Sequence, residues 1–261
     1  MMQIPVVIVG ATGRMGTIIT GIIEDDAEFR LAGLVDSVER FSSIKAPEGV
    51  PTGSTLEAVL TPGTRAVVID FTVPGNSLAV ARFAAEHGLA HVAGTTGLTA
   101  EQRAELEGYA VKTPIFWSPN MSVGVNVLVK VLPELARMLG ESYDMEVMEI
   151  HHRHKQDAPS GTALRLAEAL AGSRGWNIDE TARCCREGIT GERPHKEIGL
   201  QALRGGDVAG IHTVYFLGSG ERIEVTHQAH SRDNFAQGAI RAAKWLYEQK
   251  PGRLYTMQDL L

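Results

Sequence analysis

A glycine turn set between a buried strand and a helix limits what this chain can fold into more than any other feature. Residues Ile4-Pro-Val-Val-Ile-Val9 form a near-continuous apolar run that stops at Gly10, the pattern of a parallel strand covered on both faces. Gly10-Ala11-Thr12-Gly13-Arg14-Met15-Gly16 follows, then Thr17–Ile23 with apolar residues at helical spacing, then Arg30–Val35 as a second strand. In such a β-turn-α-β unit the glycines let the backbone approach a pyrophosphate at the helix N-terminus. An acid about 20 positions on then takes the adenosine ribose hydroxyls. Asp36, at the end of the second strand, fits that role. The spacing is G-x-x-G-x-x-G, so the string alone also describes a plain tight turn; strand, helix and terminal acid in register select dinucleotide binding. Ser37 follows Asp36, and the nearest arginine is Arg40. An acid repels a 2′-phosphate, so NADH is expected over NADPH.

The same alternation continues. Arg65–Asp70 reads as a strand ending in Asp70-Phe71-Thr72, Asn76–Gly88 as its crossover helix, and His91–Gly94 as a strand running into Gly94-Thr95-Thr96-Gly97. Ligands of open α/β sheets sit beyond the carboxyl ends of the strands, so both loops are expected to face a nicotinamide. Helix Ala100–Ala110 and strand Pro114–Trp117 complete another step. The polar segment Ser118-Pro119-Asn120-Met121-Ser122-Val123-Gly124-Val125-Asn126 then marks a domain boundary.

Beyond it the pattern changes to α+β. Helix Val123–Leu139, strand Met145–Ile150 and helix Ala163–Leu170 precede three strands, Lys196–Leu203, Val208–Phe216 and Arg222–Ala229. Their separators, Arg204-Gly-Gly-Asp207 and Gly218-Ser-Gly220, suit hairpins. Helix Asn234–Gln249 carries an apolar stripe that can pack back on the first half. The expected fold is α/β, with an N-terminal Rossmann-type parallel-sheet domain of residues 1–121 and 233–261 and a second α+β domain of residues 122–232.

The chemistry concentrates in His151-His152-Arg153-His154-Lys155-Gln156-Asp157-Ala158-Pro159-Ser160-Gly161-Thr162-Ala163, a strand-to-helix connection. Backbone N–H groups near Ser160, Gly161 and Thr162 are expected to be unpaired in the first helical turn, where the dipole adds positive charge. Arg153 and Lys155 add cations, and imidazoles can exchange protons near neutrality. A polar strand end exposed to water is the plain alternative. A metal site on His152 and His154 is disfavoured, because Arg153 and Lys155 place fixed positive charge beside it and no Cys or acidic cluster accompanies the histidines. The residues point to a carboxylate-binding site that transfers protons, with no metal. Asp157 is expected to shape the turn; His212, His227 and His230 carry no assigned role.

A hydrophobic content of 44% suits a globular chain, and a net charge of −6 gives no footprint for nucleic acid. No apolar run reaches the roughly 20 residues that span a bilayer, and no secretory signal is evident at the N-terminus, so a cytoplasmic location is expected. Cys184 and Cys185 are adjacent and read as ordinary thiols.

Taken together, the glycine motif, Asp70-Phe-Thr72, Gly94-Thr-Thr-Gly97, Ser118 to Asn126 and His151 to Ala163 resemble the 4-hydroxy-tetrahydrodipicolinate reductase (dihydrodipicolinate reductase) family along essentially the whole chain. The resemblance implies an oxidoreductase that uses NADH or NADPH on a small dicarboxylate in the diaminopimelate route to lysine, with hydride delivery and loss of the 4-hydroxyl as water. It implies a homotetramer joined through the second domain, which also binds substrate. Gly10, Ala11, Thr12, Gly13, Arg14 and Met15 would hold the pyrophosphate and Asp36 the ribose. Phe71, Thr72, Gly94, Thr95, Thr96, Ser118, Pro119, Asn120 and Met121 would border the cofactor. His151 and Lys155 would be the proton-handling pair, and His152, Ser160, Gly161 and Thr162 would bind the carboxylates. Met121 stands where many members have Phe. Closure near Asn120 and Arg232 would bring the two sites together. A dinucleotide sensor without turnover and a zinc hydrolase are the alternatives; the first has no need of His151 and Lys155, the second none of the glycine motif.

Overall fold

The computed structural model describes residues 3–261. It divides into two compact units, one running to Val123 and taking in Arg232–Leu261, the other Gly124–Ser231.

In the first unit, β1 (Ile4–Val9), β2 (Phe29–Val35), β3 (Thr52–Gly53), β4 (Val67–Asp70), β5 (Ala90–Ala93), β6 (Ile115–Trp117) and β12 (Leu254–Tyr255) form one sheet. Its order is β12-β6-β5-β4-β1-β2-β3, and each neighbouring pair is parallel. Every residue of β4 and β5 is buried, Asp70 and His91 included, which is why these segments show no apolar–polar alternation. Helices α1 (Arg14–Glu24), α2 (Pro74–His87) and α3 (Ala100–Ala110) are the crossovers. Proline opens α2 and Gly88, at φ +68°, closes it, while Thr99 and Gln102 form a capping box on α3. The last long helix, α7 (Asp233–Tyr247), buries Ala236, Ala239, Ile240, Ala243 and Leu246 in the same core as Val6, Ile8 and Phe116. It lies flush on the segment after β6: a Cβ on Gly238 would stand 1.8 Å from the Met121 carbonyl oxygen. The two-residue strands β3 and β12, and the short α8 (Met257–Leu260), are too brief to leave a periodic signal.

The second unit is a five-stranded sheet of β7 (Asp144–His151), β8 (Ala182–Cys184), β9 (Ile198–Arg204), β10 (Gly210–Leu217) and β11 (Arg222–Ala229), ordered β11-β10-β7-β9-β8. Helices α4 (Val123–Leu139) and α5 (Gly161–Ser173) cover one face, packing Leu132, Ala136, Leu166 and Leu170 onto Met145, Val147, Leu200, Val214 and Phe216. A short α6 (Ile178–Thr181) leads into β8; sequence reading missed both.

One expectation is corrected here. Arg204 to Asp207 does not make a hairpin, because β7 lies between β9 and β10, parallel to the first and antiparallel to the second. Hairpin-like glycines mark a sharp reversal but not which strand fills the gap. The loop instead arches over the end of β7: Gly205 donates to the His151 carbonyl at 3.0 Å, His152 to Val208 at 2.8 Å and Arg153 to Gly206 at 3.2 Å. The β10–β11 connection is a hairpin.

Candidate active site

The first unit presents the dinucleotide half. Gly10 leaves β1 at φ +82°, and a Cβ there would meet the Thr72 side chain and the Phe71 carbonyl at 3.0 and 3.2 Å. A Cβ on Gly16 would stand 2.2 Å from the Gly10 oxygen, so the third glycine is what lets α1 start against the turn. Gly13 caps α1 with no side-chain hydrogen bond, which leaves the first-turn N–H groups without a side-chain acceptor. Ala11 is buried, Arg14 is exposed, and Met15 packs against the core. Asp36 Oδ2 accepts from the Thr12 N–H at 2.7 Å and the Thr12 hydroxyl at 2.6 Å, and Oδ1 from the Ser37 N–H at 2.8 Å. Partial burial raises the Asp36 pKa, but these hydrogen bonds outweigh it and hold the carboxyl below its usual value. A pocket of about 260 Å³ opens beyond Val9 and Val35, lined also by Asn76, Arg82, Phe83 and Glu86. None of those four was singled out from sequence.

The loops after β4 and β5 are tied together by one buried carboxylate. Asp70 accepts from the Thr72 hydroxyl at 2.6 Å and the Thr95 hydroxyl at 3.3 Å, and the Thr72 N–H donates to Thr95 Oγ1 at 3.2 Å. Fully buried His91 lies 3.7 Å from Asp70. The Phe71 ring occupies the space a side chain on Gly94 would need, 2.3 Å from its Cβ position. Thr95 is buried and Thr96 exposed. Trp117 donates to the Thr95 carbonyl at 3.0 Å. In the next segment the Ser118 hydroxyl donates to the Asn120 carbonyl at 2.7 Å, and Asn120 Oδ1 accepts from the Ser122 N–H at 2.8 Å. Pro119 is exposed, whereas Met121 is 2% exposed and belongs to the core under α7.

The second unit holds the histidine motif. Period-two alternation on β7 turns Met145, Val147, Glu149 and His151 to one face. Glu149 is fully buried there. Its Oε2 accepts from Arg204 Nη1 at 2.7 Å and contacts His151 Nδ1 at 2.6 Å; its Oε1 accepts from Arg204 Nη2 at 2.7 Å and the Ser160 N–H at 3.0 Å. Burial drives the Glu149 pKa up, and the Arg204 fork, His151 and Ser160 more than reverse it. Arg204 also donates to the Asp157 carbonyl at 2.7 Å. Ser160 Oγ caps α5 by accepting from the Ala163 N–H at 3.2 Å and meets His212 Nε2 at 3.0 Å. His212 stacks edge-on to His151, 5.1 Å between centroids. Burial, reinforced by the nearby His151, pushes the His212 pKa down to about 4.

These contacts amend the expected anion site. Ser160 does not offer its N–H to a ligand: Glu149 takes it, and the residue is 2% exposed. A carboxylate 11 positions earlier on the strand reaches it because the loop folds back on β7. Gly161 and Thr162 open α5, and Gly161 is exposed. His152 sits 6.1 Å from His154, ring to ring. Lys155 Nζ donates to both Asp157 oxygens at 2.8 and 2.9 Å, a bond that lowers the Asp157 pKa. Among the described residues no group of three or more His, Cys, Asp or Glu is placed to hold a metal, and no helix is long and apolar enough to cross a membrane. Glu149, Arg204 and His212 were absent from the expected site. An acid at the inward phase of β7 was the one signal that could have found the first.

Residues 4–121 match the family model described as the N-terminus of dihydrodipicolinate reductase, and residues 124–261 match that of its C-terminus. A 4-hydroxy-tetrahydrodipicolinate reductase of Oleidesulfovibrio alaskensis is 59% identical over 260 residues, covering 100% of both chains. One of Lawsonia intracellularis is 48% identical over 260 residues, again with 100% of both covered. Among solved structures, a dipicolinate-bound dihydrodipicolinate reductase from Paenisporosarcina sp. TG-14 superposes with a TM-score of 0.78 at 23% identity, over 100% of each chain.

Proposed function

The chain belongs to the dihydrodipicolinate reductase family, and from that premise we propose how its residues divide the reduction of 4-hydroxy-tetrahydrodipicolinate. The overall change converts the substrate, NAD(P)H and a proton into tetrahydrodipicolinate, NAD(P)⁺ and water. The reaction lies on the diaminopimelate route to lysine.

A nicotinamide dinucleotide fits the first unit, where a Cβ on Gly10, Gly13 or Gly16 would crowd the turn and the helix N-terminus lacks a side-chain cap. When bound, it supplies the hydride. Gly10 to Met15 would hold its pyrophosphate, Asp36 would accept from the ribose hydroxyls, and the pocket beyond Val9 and Val35 would take the adenosine end. Phe71, Thr72 and Gly94 to Thr96 would border the nicotinamide, as would Ser118 to Met121; Met121 would contribute backbone, its side chain being in the core. The ionised Asp36 repels a 2′-phosphate, which favours NADH.

In the second unit His152, Gly161, Thr162 and the Lys155 ammonium bind the substrate carboxylates, each charge-assisted hydrogen bond contributing about 1.5 to 3 kcal/mol. Ser160 shapes this site from beneath as the helix cap. His151 transfers the proton, with Lys155 as the second donor once substrate draws it from Asp157. The chain works in the cytoplasm as a homotetramer. Copies meet on the sheet face that α4 and α5 leave open, where Ile150 pairs in register with Leu203 and Ile211, and Leu203 is 45% exposed.

The observation that carries this reading is the junction of a proton carrier and a helix N-terminus through one carboxylate, Glu149. The test is direct: mix the protein with NADH and freshly made substrate, follow absorbance of the reduced nicotinamide, and repeat with a chelator. Oxidation indifferent to chelation is expected; tight NADH binding without oxidation would return the chain to the class of sensors.

A further inference from the structure

Glu149 is costly to bury. A carboxylate taken fully out of water loses several kcal/mol of solvation, and ion pairs in such places are poor sources of net stability. Here the loss is covered by four donors in fixed directions: two from Arg204, one from Ser160 and one from His151. Three of them have no choice of role, since a guanidinium and a backbone N–H only donate. The fourth is an imidazole, whose two nitrogens can exchange roles. A carboxylate already ionised by its other partners cannot donate, so it accepts at 2.6 Å from His151 Nδ1 and compels that nitrogen to carry a proton. His151 Nε2 makes no hydrogen bond among the described residues and lies over Gly210, 3.1 Å from the position a Cβ would take. The ring is 11% exposed at its side chain.

We infer that Glu149, clamped by Arg204, is a positioning residue that fixes the tautomer of His151, so that Nδ1–H is permanent and Nε2 is the nitrogen that gives its proton to substrate and regains it from solvent. The inference rests on the reading of His151 as the proton carrier. The clamp also couples this choice to the anion site, because Arg204 binds the Asp157 carbonyl and Glu149 binds the Ser160 N–H. A shift of the loop between His151 and Ser160 would therefore disturb the tautomer and the helix start together.

Glu149→Gln makes a sharp test. The carbonyl oxygen of the amide is drawn to the side where Arg204 Nη2 and the Ser160 N–H both donate, which leaves the NH₂ facing His151 Nδ1. That nitrogen must then accept, and the proton moves to Nε2. The Ser-His-Asp triad behaves this way, an Asp-to-Asn change leaving the geometry intact and lowering turnover by about 10⁴ through the wrong tautomer. In protein labelled with ¹⁵N-histidine, His151 is assigned by the signal lost in His151→Ala. The wild type should show a protonated Nδ1 and a bare Nε2 in the neutral ring, and Glu149→Gln the reverse. Turnover of Glu149→Gln should fall at least about 10²-fold with substrate KM and NADH affinity held, and Glu149→Asp should recover part of it. A neutral wild-type ring protonated at Nε2 and bare at Nδ1 overturns the inference even if the Gln variant fails to fold. So does a Gln variant of normal kcat, or one whose loss lies in KM. Near-wild-type turnover in His151→Ala removes the His151 reading and this inference together, whereas a crippled His151→Ala beside a fully active Glu149→Gln removes this inference alone.

Discussion

At Asp36 a single carboxylate is hydrogen-bonded by Thr12 and Ser37 and held below its usual pKa, and the proposed function gives it the choice between the two dinucleotides. Asp36→Asn should raise the NADPH-to-NADH ratio of kcat/KM by about tenfold, equivalent to about 1.4 kcal/mol, read from parallel kinetics with the two cofactors; an unmoved ratio would assign the preference elsewhere. His212 makes a second residue-level prediction. Its folded pKa of about 4 lies below the usual 6.5, so between these values the unfolded chain binds more protons than the folded one, and stability falls as pH falls from 6.5 to 4. The loss is on the order of 3 kcal/mol, and His212→Asn, which cannot titrate, should lack it in urea titrations across that window. Glu149, held below its usual value, adds a further loss at more acid pH, in the same direction. Of these residues only Asp36 was legible beforehand, because its role follows from its distance to a glycine motif. Arg204 stands 55 positions from Glu149, and no local pattern reports a partner brought in by strand order. Glu149 did leave a trace, an acid in phase with Met145 and Val147, where a strand must bury whatever the phase presents.

Elements were easier to read than their neighbours. The parallel strands and crossovers of the first unit follow from apolar runs, glycine stops and helical spacing, and α4, β7, α5 and β11 lie where periodicity puts them, to within a few residues at their ends. What periodicity cannot give is adjacency: the glycines after Arg204 suggested a hairpin, yet β7 fills the place between β9 and β10 and the loop instead roofs the histidine motif. Close approaches between elements are equally silent in sequence. Gly238 is an ordinary helix glycine until α7 is laid on Met121, 1.8 Å from any added Cβ. Gly238→Ala should therefore destabilise by about 3 kcal/mol through overpacking against backbone that cannot yield. That corresponds to a fall of roughly 6 to 12 °C in Tm, measured by calorimetry; an unchanged Tm would mean that α7 does not seat there.

At the scale of the whole molecule, the proposed function divides between a parallel-sheet unit that binds dinucleotide and a mixed-sheet unit that binds substrate, transfers protons and assembles. The assembly assignment predicts that Leu203→Glu, a charge placed on the open sheet face, lowers the mass seen by light scattering from that of a tetramer toward smaller species; a wild-type chain that is monomeric at working concentration would contradict it. The functional assignment separates binding from chemistry, and one variant separates them experimentally. In His151→Ala, with NADH affinity measured by titration and turnover by loss of reduced-nicotinamide absorbance, kcat should fall by about 10²- to 10⁴-fold while NADH binds as in the wild type. Turnover close to that of the wild type would contradict the account at its centre.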